Sequence, residues 1–591
     1  MSDTTDSHDP ATSPTVDSAA SGTSDPNQQP KKKFTIIKQV NMIARTAIDD
    51  CINRLGPDVV TMSSEDIADQ VVNSINVAIA RENTRAQDAN AAVRYTPIFK
   101  LDFSHVAVLM RRLHVIINIA PSHNSDPDSD MLAIYDPNPR SEHYGIYRTS
   151  EAEIRRVARE YCPDLTSAQF RELQMALSDA APRKVRHKQR DLIPVKNGIF
   201  NYSTKQLEPF SQEFVFLAKS AVNYNPNAQN PVITHPQDGS VWDVESWMND
   251  LSDDPEVVNL LWEIIGAIVR PYVSWNKSAW FYSEAGNNGK GTLVELMRNI
   301  LGAEAYTSIQ LSDFSKEFHL ESLTRAQAIL VDENDVGAFL EKSANLKAIV
   351  TNDVISINRK HKTMLSYQFY GFMVQCINGF PKVKDQSESF FRRQLFVPFE
   401  KSFTGAERKY IKDDYMSRTD VLEYVLHRVL HMNYDNLSTP AAALAVLDEY
   451  KEFVDPVRAF WNEFSDQFVW DLLPLQFLYE FYRKWFDRDS PSGSVLGKRS
   501  FIQKITTIAV DSGQWEYPLT AQRPGGDMAV PEPLVIDYDL TEWQNATVPK
   551  GHVNKGLPLP LKANYRGLLR KPLTTPATPP AAPVNPTPPT P

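Results

Sequence analysis

Cysteine is nearly absent from this 591-residue chain: Cys51, Cys162 and Cys376 lie far apart and form no C-x-x-C pair. That excludes a disulfide framework and a cysteine-based zinc site, and a reducing compartment is the simplest inference. There is no run of about twenty apolar residues, the length a membrane helix needs. The polar, acidic start also lacks a signal-peptide apolar core, so a soluble, intracellular protein with no membrane partner is expected. Positive charge is not in excess either. A formal net charge of -11 excludes a chain coated in basic surface, but the field at a site is local, and a narrow basic channel stays compatible with it. The length and apolar content suffice for several domains with more than one core.

What is present begins with Phe281-Tyr282-Ser283-Glu284-Ala285-Gly286-Asn287-Asn288-Gly289-Lys290-Gly291-Thr292. It reads as a buried strand, a glycine-rich loop and a helix start, the build of a phosphate-binding loop. Gly286 and Gly289 permit backbone that turns N–H groups toward one point, where the helix presents its positive end. Asn287 and Asn288 tolerate left-handed backbone. Lys290 is expected to reach the outer phosphates of ATP. The strict pattern G-x-x-x-x-G-K-[ST] is broken twice: Glu284 replaces its first Gly, and Gly291 follows the Lys, which moves the magnesium-holding hydroxyl to Thr292. The plainer alternative is a glycine-rich surface turn.

Downstream, the strand-like run Ala326 to Val331 ends in Asp332-Glu333. Acids at the carboxyl end of a parallel strand lie beside bound phosphates, so Asp332 is assigned to the Mg2+ shell and Glu333 to polarising the attacking water. The alternative is a buried strand with a solvated acidic turn. A further run, Phe372 to Ile377, delivers Asn378, whose amide can hold that water or sense the outer phosphate. Phe390-Phe391-Arg392-Arg393 precedes the strand Gln394 to Phe399. Either arginine could act within its own subunit or on a neighbour's nucleotide, stabilising charge on the transferred phosphoryl group.

Loop, acidic strand, Asn-ended strand and paired arginines, in this order, resemble superfamily 3 helicases. The likeness is to the phage and plasmid primase-helicase family related to the poxvirus primase-helicase. It covers about Asp191 to Phe403 well and the flanks to about Glu516 more loosely. It includes Pro194-Val195-Lys196-Asn197-Gly198-Ile199-Phe200, Asn223-Tyr224-Asn225-Pro226 and Phe391-Arg392-Arg393 to Pro398-Phe399. The resemblance implies an α/β, AAA+-like P-loop NTPase core in a ring, a homohexamer, that uses ATP and Mg2+ to unwind DNA. Its partners would be single-stranded and forked DNA and other replication proteins, in the host cytoplasm if the chain is phage-encoded.

Alternation of Val354, Ser356 and Asn358 against Ile355 and Ile357 predicts a strand before the basic run Arg359-Lys360-His361-Lys362. By resemblance this is the hairpin that grips a single strand in the ring's channel, where each neutralised phosphate adds salt-dependent affinity. A solvated charged hairpin is the alternative. Phe460 to about Glu516 looks like a three-helix unit similar to the family's winged-helix-like domain. Lys498, Arg499 and an outward Lys504 are its candidate phosphate contacts, against a helical cap with solvated lysines.

The expected organisation is a disordered tail over 1–33, a mixed α/β accessory domain over 34–190 and a lead-in with a helical part over 191–270. The P-loop core follows over 271–405, then a helical cap over 406–455, the winged-helix-like domain over 456–545 and an extended Pro-rich tail over 546–591. Polymerase-type chemistry needs carboxylates on adjacent strands. The upstream acidic cluster Asp126-Pro127-Asp128-Ser129-Asp130 reads as a solvated loop. A bifunctional primase-helicase is therefore a weaker reading than a helicase, as are an ATP-switched origin-binding or loading protein and a P-loop kinase.

Overall fold

The computed structural model describes residues 40–572 apart from 90, 92–93, 122–124, 317, 336–338, 360–363, 407 and 490–494. The expectations for the tail over 1–33, for the last residues of the chain and for Lys360, His361 and Lys362 fall outside the described residues. No helix among those described is long and apolar enough to cross a membrane.

The chain divides into two compact units. Among the described residues, one comprises those up to His114 with Arg155–Ala180, and the other Val115–Ile154 with those from Ala181 onward. The first is helical, built from Val40–Leu55, Ser64–Asp88, Phe103–Leu113 and Ser167–Ala180. Local chemistry starts its helices. The Ser63 hydroxyl accepts from the Asp66 N–H, and Asp102 forms a capping box with His105. Ile67, Val71, Ile75 and Ile79 recur every fourth residue and are buried, the stripe of an amphipathic helix.

The accessory domain expected over 34–190 is therefore not one body. Residues 115–154 belong to the second unit because Ile116–Ala120 pairs antiparallel with Met131–Tyr135 and parallel with Arg183–Val185. Val215 and Leu217 close the core of that sheet. Such contacts leave no trace in local periodicity. Met131–Tyr135 pairs antiparallel with Tyr147–Arg148, with Tyr135 opposite Tyr147. Asp130, from the acidic loop, is ion-paired to Arg183 at 2.6 Å.

At the centre of the second unit is a five-stranded, all-parallel sheet in the order Tyr306–Thr307, Ala328–Val331, Phe372–Ile377, Ser278–Tyr282, Gln394–Pro398. Its strands are continuous apolar runs because both faces are covered. Ala279, Phe281, Leu330, Val374 and Val397 face one core, with the helices Pro255–Val269, Lys290–Leu301 and Thr419–His431. Trp280, Tyr282, Ile329, Met373 and Phe396 face another, with Ala441–Val454. The segment expected as a helical cap over 406–455 thus supplies helices to opposite faces of one sheet, Thr419–His431 to one and Ala441–Val454 to the other.

The last part of the chain folds around Phe460, Phe464, Trp470, Phe481, Tyr482 and Trp515. Helix Pro456–Phe464, strand Leu472–Pro474, helices Leu475–Asp489 and Lys498–Asp511, and strands Trp515–Glu516 and Gly567–Arg570 follow in order. Gly567–Arg570 is the central strand of a three-stranded antiparallel sheet, between Leu472–Pro474 and Trp515–Glu516. The expected extended tail from residue 546 is thereby corrected: the fold runs on at least to Arg570. A four-residue strand holding two leucines among lysines and prolines is too short for alternation to register.

Candidate functional site

The strand Ser278–Tyr282 ends in the loop 283–289, and two side chains brace that loop. The Ser283 hydroxyl donates to the Ala285 carbonyl at 3.1 Å. The buried Asn288 amide donates to the same carbonyl at 2.6 Å and accepts from the Lys290 N–H at 3.3 Å. The left-handed residues are Asn287 (φ 55°) and Gly289 (φ 88°); Gly286 and Asn288 are not. Gly289 immediately precedes the helix Lys290–Leu301, and a Cβ there would lie 2.5 Å from the Leu251 side chain. Asn287 accepts the Phe403 N–H at 2.7 Å, which ties the loop to the segment after the edge strand.

Lys290 points away from solvent and is only 5% exposed. Its ammonium donates to Asn378 Oδ1 at 2.9 Å and, at 3.4 Å, to the carbonyls of Ser283 and Ile377. Burial pulls its pKa below the usual lysine value, and nearby Cys376 and Asp332 oppose that shift. Burial pushes the Cys376 thiol far up, so it is neutral at pH 7 and the balancing charge is Asp332. Because the Asn-ended strand lies between the loop strand and the acidic strand, Lys290, Asn378 and Asp332 all come to the carboxyl end of the sheet, where α/β folds bind ligands.

The acidic turn is held by a residue that sequence reasoning missed. Asn334, 5% exposed, accepts from the Leu311 N–H at 2.9 Å and donates to Gln375 Oε1 and the Cys376 carbonyl, both at 3.0 Å. Gln375 is fully buried and donates to the Ile309 carbonyl at 3.1 Å. Its signal was a lone amide inside the run Phe372 to Ile377. Glu333 is exposed at this turn, and no contact among the described residues joins its carboxylate to Lys290 or Asn378.

Thr292 and Asp332 are not brought to one face. Successive helix residues point about 100° apart, and the residue aimed at Asp332 is Gly291: a Cβ there would lie 3.0 and 3.3 Å from the two carboxylate oxygens. Thr292 instead lines a cavity of about 560 Å³ with Trp242, Trp247, Phe403 and Lys412. Trp242 and Trp247, both buried, are thus also walls beside the loop.

Arg392 and Arg393 precede the strand Gln394–Pro398 and so lie at the amino edge of the parallel sheet, where the Arg393 carbonyl accepts from Ser278 N–H at 2.8 Å. A five-residue strand spans about 16 Å, which separates the pair from Lys290 of the same chain and removes the within-subunit alternative. Arg393 is half-buried, and its guanidinium donates to the Ser389 carbonyl and hydroxyl. Burial, then repulsion from Arg392, lowers its pKa. Arg392 is exposed.

The predicted hairpin forms from Val354–Ile357 and Leu365–Gln368, antiparallel, with Ile355, Ile357, Leu365 and Tyr367 inward. Arg359 leads into its tip. The hairpin is anchored at its root, where buried Arg186 donates to the Tyr367 hydroxyl at 2.7 Å. Lys498 and Arg499 are exposed at the start of the helix Lys498–Asp511. Lys504 does not face out as expected. It is ion-paired to Asp455 at 2.9 Å and also donates to Gln386, because Asp455 caps the neighbouring helix.

Two family comparisons match parts of the chain. Residues 281–393 match a family of unknown function, DUF5906, and residues 454–525 match the family described as Poxvirus D5 protein-like. The D5 likeness therefore rests on the C-terminal part rather than on the segment from Asp191 to Phe403. No curated protein matches the chain. Among solved structures, two A-form apo structures of the NrS-1 C-terminal region are similar at 12% identity. One has a TM-score of 0.40, covering 78% of this chain and 98% of that one; the other has 0.37, with 68% and 85%. A further apo structure of that region gives 0.39 at 12% identity, covering 71% and 95%. No functional argument follows from likeness at that level.

Proposed function

We propose that this chain is an ATP-dependent DNA helicase of superfamily 3 type, a P-loop NTPase that works as a ring on DNA during replication. The observation that carries the reading is the meeting of Lys290, Asn378 and Asp332 at the carboxyl end of a parallel sheet, under the start of a 12-residue helix. A buried lysine held by one amide and two long carbonyl contacts is suited to exchange those partners for phosphate oxygens, a stronger, charge-assisted interaction.

In this reading the loop N–H groups and Lys290 hold the phosphates of ATP, and the base lies toward Trp242, Trp247 and Phe403. Asp332 suits the shell of Mg2+, with Thr292 on the adjoining face. The bound metal would neutralise charge on the outer phosphates. Glu333 takes the proton from the attacking water, and Asn378 orients that water or senses the outer phosphate. Arg392, exposed at the far edge of the sheet, is the arginine that reaches a neighbour's nucleotide, whereas Arg393 is committed to Ser389. That division is why the site needs a second subunit.

The hairpin with Arg359, Lys360, His361 and Lys362 couples the cycle to a single strand. The C-terminal order of helix, strand, two helices and two strands supports a winged-helix reading, with Lys498 and Arg499 at the phosphates and Lys504 as a structural tie. Strand displacement on a forked duplex tests this. Wild type should displace in the presence of ATP, and Glu333→Gln should bind ATP and DNA yet displace nothing. DNA binding with slow hydrolysis and no displacement by wild type would instead favour the loading protein.

A further inference from the structure

Gly291 stands where the strict loop pattern carries a hydroxyl, and a lysine from elsewhere in the chain shares the space it leaves. A Cβ on Gly291 would lie 3.0 Å from Asp332 Oδ1 and 3.4 Å from Lys412 Nζ. Lys412 lies on the short helix Lys409–Asp413, over a hundred residues beyond the loop, and its side chain is exposed and lines the cavity beside Thr292. Arg408 and Lys409 line the same cavity, as do the carboxylates of Asp250 and Asp413.

This helix is held in place from several sides. The Tyr410 ring stacks on His235 at 3.8 Å, and its hydroxyl shares a hydrogen bond of 3.0 Å with Ser240. The Met416 carbonyl accepts from Asn299, on the loop helix itself, at 3.0 Å. The backbone bond from Phe403 to Asn287 fixes the segment's other end. Lys412 is thus carried on a scaffold anchored to the loop and to the loop helix.

We propose that Lys412 is a second phosphate-binding lysine, which takes the position facing Asp332 that a loop hydroxyl would otherwise occupy. It contacts the outer phosphates of a nucleoside triphosphate from the side opposite Asn378, while Lys290 holds them from beneath. The inference rests on the nucleotide reading above. It suits the Lys-Gly-Thr sequence: a Cβ at 291 would already crowd Asp332 at 3.0 and 3.3 Å and touch Lys412 Nζ at 3.4 Å, so a longer side chain there would compete with Lys412 for the same space.

Fluorescent (mant) ATP titration on the full chain at fixed Mg2+ tests this, with melting temperature as the folding control. Lys412→Ala should weaken ATP binding roughly 10- to 100-fold, the range for losing a charge-assisted bond. Its exposed side chain should leave melting unchanged, and Lys412→Arg should recover most of the affinity. Gly291→Ser should weaken binding in the wild-type background and cost less beside Lys412→Ala, because the added hydroxyl then no longer competes with Lys412, although its contact with Asp332 remains.

Wild-type affinity in Lys412→Ala, with binding lost in Lys290→Ala, would overturn the role of Lys412 and leave the nucleotide site standing. Strictly additive effects of Gly291→Ser and Lys412→Ala would overturn the shared-space argument. Absence of ATP binding by wild type would remove both readings.

Discussion

Replacing Asn334 by alanine probes how the acidic turn is held. The substitution removes one acceptor and two donor contacts of 2.9, 3.0 and 3.0 Å from a residue 5% exposed. It strands the Leu311 N–H and Gln375 Oε1 and removes a partner of the Cys376 carbonyl, which lies one residue past the pairing with Ala328–Val331. Each orphaned buried group costs about 1–3 kcal/mol; with water entering the gap, the local loss should be about 2–4 kcal/mol. A chain of several domains does not unfold in two states, so the measurement is native-state hydrogen exchange of peptides over 306–315 and 328–335. At one factor of ten per 1.4 kcal/mol, exchange there should accelerate roughly 30- to 1,000-fold. Peptides of the first unit should not change. Asp332 and Glu333 ride on this turn, so the variant should lose kcat more than ATP affinity. Gln375→Met should reproduce part of the effect and be non-additive with it. Exchange within about threefold of wild type over both peptides, outside the range just worked from the lost bonds, would refute the claim that Asn334 positions the carboxylates.

Three other expectations follow from particular residues. Lys360→Ala with Lys362→Ala should leave basal ATP hydrolysis intact but abolish its stimulation by single-stranded DNA, as read in a coupled ATPase assay; normal stimulation would remove the hairpin from the DNA path. Phe403→Ala, which keeps the backbone bond to Asn287, should raise KM for ATP by about 2- to 12-fold, the size of an aromatic contact, and leave kcat nearly unchanged. In the first unit, burial holds the His114 imidazole at a pKa of about 4, with its Nε2 3.0 Å from the Tyr161 hydroxyl. A histidine depressed below its unfolded value of 6.5 contributes stability that is full above pH 6.5 and lost as pH falls toward 4, about 3 kcal/mol in all. His114→Gln should flatten that acid dependence of helix protection in hydrogen exchange, and an unaltered slope would contradict it.

How much of this was legible varies with the range of the interaction involved. The loop, the acidic strand, the Asn-ended strand and the hairpin are local patterns of apolar runs and turn residues, and each forms where its pattern lies. The meeting of Lys290 with Asn378 follows from strand order, which local patterns do not encode. Asn334 was invisible because an amide after two acids reads as more of a solvated turn; only Gln375, polar inside an apolar run, hinted at a buried partner. Lys412 carries no motif, and its place depends on packing around Tyr410. Lys504 looked outward by helical spacing, but Asp455 lies on the next element. The strand Gly567–Arg570 and the division of residues 34–190 rest on pairings across many residues, where periodicity is silent.

The most direct measurement is steady-state ATP hydrolysis with and without single-stranded DNA, on wild type and on Lys290→Ala. The account predicts hydrolysis that rises strongly with DNA in wild type and vanishes in the variant. Hydrolysis indifferent to DNA would contradict the helicase reading, and hydrolysis that survives loss of Lys290 would contradict the site itself.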